Sequence, residues 1–447
     1  MKQELHLGLD IGTTTLSCVV VNGQNGEVLE SFTKKSGADI PTGDPLEKCQ
    51  SPERIEGIAL GMLQRALEKY PQICSIGLTG QMHGILYLNG QGEAVSPLYT
   101  WQDRRSESLC PRLRELTGYA VAPGYGLATH CALAEAGQIP ETAGMLCAVM
   151  DYLGYRLTGT QNRKIHASNA ASLGFFSLEK ACFDRKALEK AGIRPDFLPA
   201  VTWETEPLGT WRGIPVSVAI GDNQASFLGS VARDESMALA NFGTGSQISV
   251  LTKDLPREAS AGEIEVRPYL KDSWLLCGSA LCGGRAYALL ENFLRSFAVS
   301  CGCPDESRYD VLNALALEGL SQCQPPLVTT AFCGTRKDPD CRGSIQGIGE
   351  ENFTPAAFAA GTLLGMAREL RELLEKMPGV DLRELAVSGN AVRRNPALRQ
   401  AVEREFGVCT RIPVHQEEAA YGAALFGAAA AGSGEPEQLL HRWIRYA

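Results

Sequence analysis

The chain opens on an alternation of apolar and other residues, Leu5, Leu7 and Leu9, that ends in Asp10. A second apolar run, 16–21, is rich in β-branched residues, and Gly12, Thr13, Thr14 and Thr15 lie between the two. The pattern predicts strand, tight turn, strand. Gly12 gives the turn backbone angles that a side chain would forbid. Successive N–H groups and hydroxyls in such a turn can form an anion-binding nest, and Asp10 stands where it could hold a divalent cation beside that anion. The plainer alternative is a hairpin in which Asp and Thr are only turn formers.

GQNGE at 23–27 predicts a turn, and 28–35 a third strand. Ser51 before Pro52 predicts a helix start, with Ile55, Ile58, Ala59, Met62, Leu63 and Ala66 on one apolar face to about Tyr70. Residues 74–79 predict a buried strand running into Gly80, Gln81, Met82, His83 and Gly84, and polar groups at such a strand end are where α/β sheets usually bind ligands. Residues 215–220 predict another strand, leading to Gly221, Asp222, Asn223 and Gln224 before a helix. Asp222 is placed there to accept a proton from a bound hydroxyl, unless it or Asn223 merely caps the helix.

From Leu239 the chain reads LANFGTGSQISV, an apolar run, Gly243, Thr244, Gly245 and Ser246, then a second run. This echo of the first turn, about half a chain later, suggests a duplicated fold whose halves face one nucleotide across a cleft. No Gly-rich loop ending in Lys-Ser/Thr is present, so the chain does not read as a P-loop enzyme. A domain boundary is expected within 230–235, giving domains 1–232 and 233–447. Helices are predicted over 284–297 and 354–376, and a strand over 385–387 leads into Ser388, Gly389 and Asn390. Asn395-Pro396 opens a further helix. Residues 417–431, EEAAYGAALFGAAAA, predict a helix whose small side chains suit a slot for a flat adenine ring.

Two polar stretches add candidate chemistry. TWQDRR at 100–105 combines the Trp101 plate with Asp103, Arg104 and Arg105, a mixture that suits a polyhydroxylated ligand or a solvated loop. ASNAAS at 167–172 sets small residues around Asn169, allowing close approach of a ligand or a simple turn.

Composition narrows the class. At 447 residues, 44% hydrophobic and 21% charged, the chain is expected to make two large domains. A net charge of -9 argues against nucleic acid or an anionic membrane as partner. No signal-like apolar core or bilayer-length run is found, so a cytoplasmic protein is expected. None of the close pairs among the 15 cysteines has zinc-type partners at the usual spacing. Reduced, mostly buried thiols are therefore expected, with neither disulfide nor structural metal.

Together these motifs resemble the FGGY carbohydrate kinases of the actin, Hsp70 and sugar-kinase superfamily, nearly end to end. DIGTTT at Asp10 and FGTGS at Phe242 resemble the two phosphate motifs. SGNAVRRNP at Ser388 with EEAAYGAALFGA at Glu417 resembles the adenosine motif, and GDNQAS at Gly221 the segment with the catalytic Asp. GQMHG, TWQDRR, GYGLAT and SNAASLGFFSL look most like sedoheptulokinase-like members, although Arg104 stands where a Gly is more usual. The resemblance implies an α/β fold of two actin-like (ribonuclease H-like) domains with a catalytic cleft between them. It implies ATP and Mg²⁺ as cofactors, a ketose as acceptor, and a homodimer as an open option. Asp222 would be the catalytic base and Asp10 the metal ligand. Gln81, Met82, His83, Trp101, Asp103, Arg104, Asn169 and Asn223 would bind the sugar. Gly12, Thr13, Thr14, Thr15, Gly243, Thr244, Gly245, Gly284, Gly389, Asn390 and Asn395 would bind the nucleotide. The alternatives are a xylulose or other ketose kinase, or an actin-fold sugar-binding regulator that has lost catalysis.

Overall fold

The opening alternation folds as the strand Leu5–Ile11, which is central to a seven-stranded sheet. Leu5, Leu7, Leu9 and Ile11 are fully buried on one face. His6, Gly8 and Asp10 alternate onto the other, because successive side chains of a strand point to opposite sides. Thr15–Asn22 pairs antiparallel with this strand, and Val28–Lys35 antiparallel with that one in turn. On the other side Ile73–Gly80 runs parallel to it, followed by Ile214–Ser217, parallel, and Pro207–Trp211 at the edge. The strand expected over 215–220 is broken after Ser217 and resumes as Ile220–Gly221, which pairs with the far end of Ile73–Gly80.

The computed structural model describes residues 4–232, 236–256, 263–322, 324–335, 337–338 and 340–447. The chain divides into two units, one of Met1–Ala232, Arg267–Ser273 and Glu417–Ile444, the other of Arg233–Val266, Trp274–Gln416 and Arg445–Ala447. The division expected at 232/233 therefore accounts for the long first segment. Residues 417–444, expected in the second domain, instead return to the first unit. Part of the expected boundary, residues 233–235, lies outside the described residues.

The reason for that return is a contact between main chains. The helix Glu418–Ala430 lies on the His6–Gly8–Asp10 face of the sheet. A Cβ on Gly8 would stand 1.8 Å from the carbonyl oxygen of Ala420, and one on Gly77 1.7 Å from that of Ala423. On the helix side, a Cβ on Gly422 would meet the Ala225 carbonyl at 1.8 Å, and one on Gly427 the Gly77 nitrogen at 2.6 Å. The small residues of this helix are thus consumed by packing against the sheet and the helix Asp222–Leu228, and do not leave a slot for a flat ring. From this helix Tyr421 donates its hydroxyl to the Gly26 carbonyl at 2.8 Å, and beyond it Trp443 donates its indole N–H to the Gly23 carbonyl at 3.0 Å. These bonds tie the end of the chain to the turn after Thr15–Asn22.

The helix Pro52–Lys69 begins where Ser51 accepts from the Arg54 N–H, and Ile55, Ala59, Met62, Leu63 and Ala66 are buried in the same core as the Leu5–Ile11 side chains.

The second unit repeats the plan. Met237–Phe242 pairs antiparallel with Ser246–Thr252, which pairs antiparallel with Trp274–Ala280. On its other side Glu384–Ser388 runs parallel, then Thr410–Arg411, parallel again. Ala238, Phe242, Ile248 and Val250 form a core with Leu363, Ala367 and Leu370 of the helix Pro355–Glu375. The helix expected over 284–297 is Gly283–Ser300. Among the described residues no helix is long and apolar enough to cross a membrane. The described cysteines are free thiols, and Cys182, Cys301, Cys303 and Cys409 are exposed, more than the expectation of mostly buried thiols allows.

Glycine substitutions separate the packing contact from helix propensity. Gly77→Ala forces a methyl into a backbone carbonyl and should lower Tm by at least about 4 °C, from overpacking of about 1–3 kcal/mol or more. Gly61→Ala, inside the helix Pro52–Lys69 with nothing within 4 Å of the new Cβ, should raise Tm slightly, since Ala is the better helix former by about 0.5–1 kcal/mol. Equal shifts in calorimetry would show that close approach is not what Gly77 provides.

Candidate active site

The first turn is held by a directed ring of hydrogen bonds. Trp101 donates its indole N–H to Thr13 Oγ1 at 2.9 Å, and Thr13 Oγ1 donates to Gln81 Oε1 at 3.2 Å. Gln81 Nε2 donates to Gln50 Oε1 at 2.9 Å, and Gln50 Nε2 returns to the Thr13 carbonyl and to Asp39 Oδ1, each at 2.8 Å. Ser36 adds its N–H to the Thr14 carbonyl and its hydroxyl to the Thr13 carbonyl. The main-chain oxygens of the turn are thus drawn back into the protein, while Thr14 is exposed at its tip. Trp101 itself is 47% exposed, presenting a ring face beside the turn. Gly124 makes this possible: its φ is +86°, and a Cβ there would lie 2.0 Å from the Trp101 carbonyl oxygen. Gln50 was not anticipated, because a lone Gln at the end of the short strand Cys49–Gln50 carries no motif.

Asp222 is the first residue of the helix Asp222–Leu228, whose N-cap is Gly221. Its position is fixed from behind by the short helix Ala167–Ser172. Ser168 Oγ accepts from the Gly221 N–H at 3.0 Å, and Asn169 Nδ2 donates to the Ala219 carbonyl at 3.1 Å. These two bonds take over where the broken strand would have continued. His166 supports Ser168 through a 2.8 Å contact of Nδ1 with its hydroxyl. Asp151, also buried, has neither carboxyl oxygen in a hydrogen bond, and Asn169 Oδ1 lacks a partner too. Burial holds Asp151 well above the usual carboxylate range, with the neighbouring Asn169 side chain and Ala148 main chain opposing the shift. A single acid inside the apolar run MLCAVMDYLGY was a signal that sequence reading passed over.

Asp10 and Asp222 share this end of the sheet, each only partly open to solvent. Burial, then the Asp222 charge, then the Glu417 charge push Asp10 up to about 8. Burial raises Asp222 to about 6, while Arg267 and a bond from the Asn223 N–H oppose the shift. Asp10 Oδ1 is buried without a partner, as is Thr79 Oγ1, which stands at the neighbouring position in the parallel register. A buried unpartnered carboxylate oxygen facing a second carboxylate fits a hard divalent cation, which takes oxygen ligands and keeps several waters.

The other expected sugar ligands divide. His83, at φ 71°, donates Nδ1–H to the Ser172 carbonyl at 2.8 Å and stacks on Tyr125 at 4.9 Å. Asn223 is half-buried next to Asp222. Asp103 is different. It is fully buried and accepts from Lys48 N, from Arg105 N, and from Arg105 Nε and Nη2 at 2.8 and 2.9 Å. Its carboxylate is thus committed to the loop's own N–H groups and to Arg105. Asn169 is likewise fully buried and acts on Ala219 instead. Met82 is buried against Gly221, and Arg104 pairs with Glu107 on the surface.

In the second unit, Gly243 and Thr244 are exposed at the hairpin tip and Gly245 is half-buried. The N-terminus of Gly283–Ser300 seats on this turn: Gly284 N donates to the Gly243 carbonyl at 2.9 Å and Arg285 N to that of Thr244 at 3.1 Å. A Cβ on Gly283 would lie 2.0 Å from Ser246 Oγ. Gly389, at φ +100°, approaches the Phe242 carbonyl where a Cβ would stand at 2.5 Å, and Asn390 beside it is exposed. Asn395, expected to touch the nucleotide, is buried and caps the helix Pro396–Phe406 by accepting from Ala397 N and Leu398 N.

The raised Asp10 gives a stability signature. The native state holds a proton that the unfolded chain, with its ordinary value of 3.8, releases. This contribution is complete below about pH 4 and is lost as pH rises through about 8. With chelator present, Asp10→Asn should therefore raise Tm at pH 8 by at least about 2 °C and much less at pH 4.5. No gain at pH 8 would mean that the carboxylate is compensated by other groups.

Comparison with known proteins places this geometry. The N-terminal domain of the FGGY family of carbohydrate kinases matches residues 5–229, and its C-terminal domain matches 238–431. A sedoheptulokinase of Mus musculus is 27% identical over 95% of this chain and 97% of its own length. A glycerol kinase of Oceanobacillus iheyensis is 25% identical over 99% of this chain and 93% of its own. A ligand-bound xylulose kinase of Lactobacillus acidophilus shares the fold at a TM-score of 0.85 and 17% identity, covering 99% of this chain and 93% of that one. With both family domains matched in order along almost its whole length, and with actin-like architecture in both units, this chain belongs to the FGGY family of carbohydrate kinases.

Proposed function

We propose that the protein transfers the γ-phosphoryl group of ATP to the terminal hydroxyl of a ketose, with sedoheptulose as the preferred acceptor. The observation that carries this reading is the hydrogen bond from Trp101 to Thr13, which hangs an exposed aromatic platform on the first phosphate turn. The likeness to a sedoheptulokinase over 95% of the chain supports the choice of sugar. A cytoplasmic location and a homodimer belong to the same proposal.

Phosphoryl transfer asks a protein mainly for positioning and charge stabilisation. Asp222 accepts the proton of the attacking hydroxyl, and Ser168 and Asn169 fix the main chain that carries it. Trp101 packs on the C–H face of the sugar, while His83, Gln81 and Asn223 orient its hydroxyls. Gly12, Thr13, Thr14 and Thr15 in the first unit, and Gly243, Thr244 and Gly245 in the second, offer N–H groups and hydroxyls to phosphate oxygens. Gly284, Gly389 and Asn390 provide an open main chain for the rest of the nucleotide. Asp10 holds Mg²⁺, which when bound offsets charge on the phosphate oxygens.

An ADP-release assay over sedoheptulose, D-xylulose, other ketoses and glycerol tests the acceptor. Sedoheptulose should give the highest kcat/KM, and a higher value for D-xylulose or glycerol would overturn the choice of sugar. Asp222→Asn should lower kcat by about 10²–10⁴ while sugar binding survives, the usual worth of a general base. Near-normal turnover in that variant would remove the catalytic role. In the wild type, kcat/KM should fall as pH drops below about 6, where Asp222 takes up its proton.

A further inference from the structure

We propose that Glu4, His6 and Cys74 form a zinc site that staples the first strand of the sheet to its parallel neighbour. One ligand atom from each lies within 4.8 Å of the others. Cys74 Sγ is 3.7 Å from His6 Nδ1. Tetrahedral zinc, with bonds of about 2.3 Å to sulfur and about 2.0 Å to nitrogen, would set these two atoms about 3.5 Å apart. The pair therefore needs to move little to close on a metal.

The backbone brings the ligands together by an irregularity. Leu5 pairs with Ile73 and His6 with Ser75, so Cys74 is an extra residue in its strand. A bulge of this kind re-aims a side chain, and here it sets the thiol beside the imidazole. His6 is fully buried. Its Nδ1 is the ring atom that reaches Cys74, and it lies 2.8 Å from Ser75 Oγ, while Arg442 acts on the ring through its charge. Metal binding exchanges that contact for a bond from Nδ1, and the Cys74 thiol gives up its proton to solvent. The Arg442 charge opposes a cation, and the Glu4 carboxylate and the Cys74 thiolate offset it. Glu4 is exposed and Cys74 partly so, which leaves a path for entry and a water in the fourth position. Imidazole with thiolate selects zinc over the hard cations magnesium and calcium.

This site is separate from the candidate active site. Asp10 lies four residues further along the same face, about 13 Å away at strand rise. Local cysteine spacing could not show it, because the thiol and the imidazole are 68 residues apart in sequence.

The test is a titration of the full-length reduced protein with zinc against a chromophoric competitor, beside Cys74→Ser and Glu4→Gln, neither of which belongs to the catalytic machinery. The wild type should bind one equivalent more than Cys74→Ser, with affinity reduced about tenfold or more in Glu4→Gln. Cobalt should give a thiolate charge-transfer band in the wild type that is absent in Cys74→Ser. Zinc binding that is equal in wild type and Cys74→Ser would assign the metal to other thiols and overturn the proposal. So would a wild type that takes up no zinc. Both readouts are independent of the sugar chosen in the kinase assay.

Discussion

The first unit depends on a contact in which no side chain takes part. Gly8 and Gly77 lie on adjacent strands, and the carbonyls of Ala420 and Ala423 come to where their Cβ atoms would be. Main chain against main chain brings the helix Glu418–Ala430 closer to the sheet than any larger residue would allow. Gly8 is two residues before Asp10 on the same face, and Gly422 seats the same helix on Ala225, three residues after Asp222. One closely packed helix therefore sets the depth of both carboxylates. It also sets their electrostatics, since Glu417, just before that helix, adds its charge to Asp10.

Two acids held at that depth constrain the chemistry. Both acids are raised by burial, and Asp10, pushed up to about 8, is harder to ionise than Asp222, raised to about 6. The proposed transfer to a hydroxyl asks for that kind of difference, one carboxylate that ionises readily and one that holds its proton until a cation replaces it. The bonds from Gly221 to Ser168 and from Asn169 to Ala219 hold the main chain at Asp222 without touching its carboxylate.

Much of this was legible in the sequence wherever the information is local. Period-two alternation gave the opening strand, Ser51-Pro52 gave the helix Pro52–Lys69, and the echo at Gly243 pointed to a duplicated plan. The places where the structure departs from the expected arrangement have one physical cause. Asp103, Asn169 and Asn395 looked like ligand-binding residues because polar side chains in a motif attract that reading. Each is instead saturated or buried by partners whose identity depends on the folded chain: Lys48 for Asp103, Ala219 for Asn169, a helix end for Asn395. Arg104, beside Asp103, simply pairs with Glu107 at the surface. The Ala- and Gly-rich stretch at 417–431 was read as a slot because small residues leave space; the space is filled by two strands from the first 80 residues and a helix from mid-chain.

The duplication is symmetric in topology and asymmetric in charge, and the asymmetry is informative. In each unit a central strand has two antiparallel neighbours on one side and two parallel neighbours on the other, with a Gly-Thr turn at its end. Superposing the turns sets Asp10 on Asn241 and Thr79 on Ser388, each pair joined in parallel register. In the second unit the pair closes on itself, Asn241 Nδ2 donating to Ser388 Oγ at 2.9 Å. In the first, Asp10 Oδ1 and Thr79 Oγ1 are both left buried and unpartnered. The second pair is neutral and satisfied, whereas the first leaves polar atoms without partners. The same backbone therefore leaves a buried carboxyl oxygen and an unsatisfied hydroxyl side by side in the first unit and a closed neutral pair in the second.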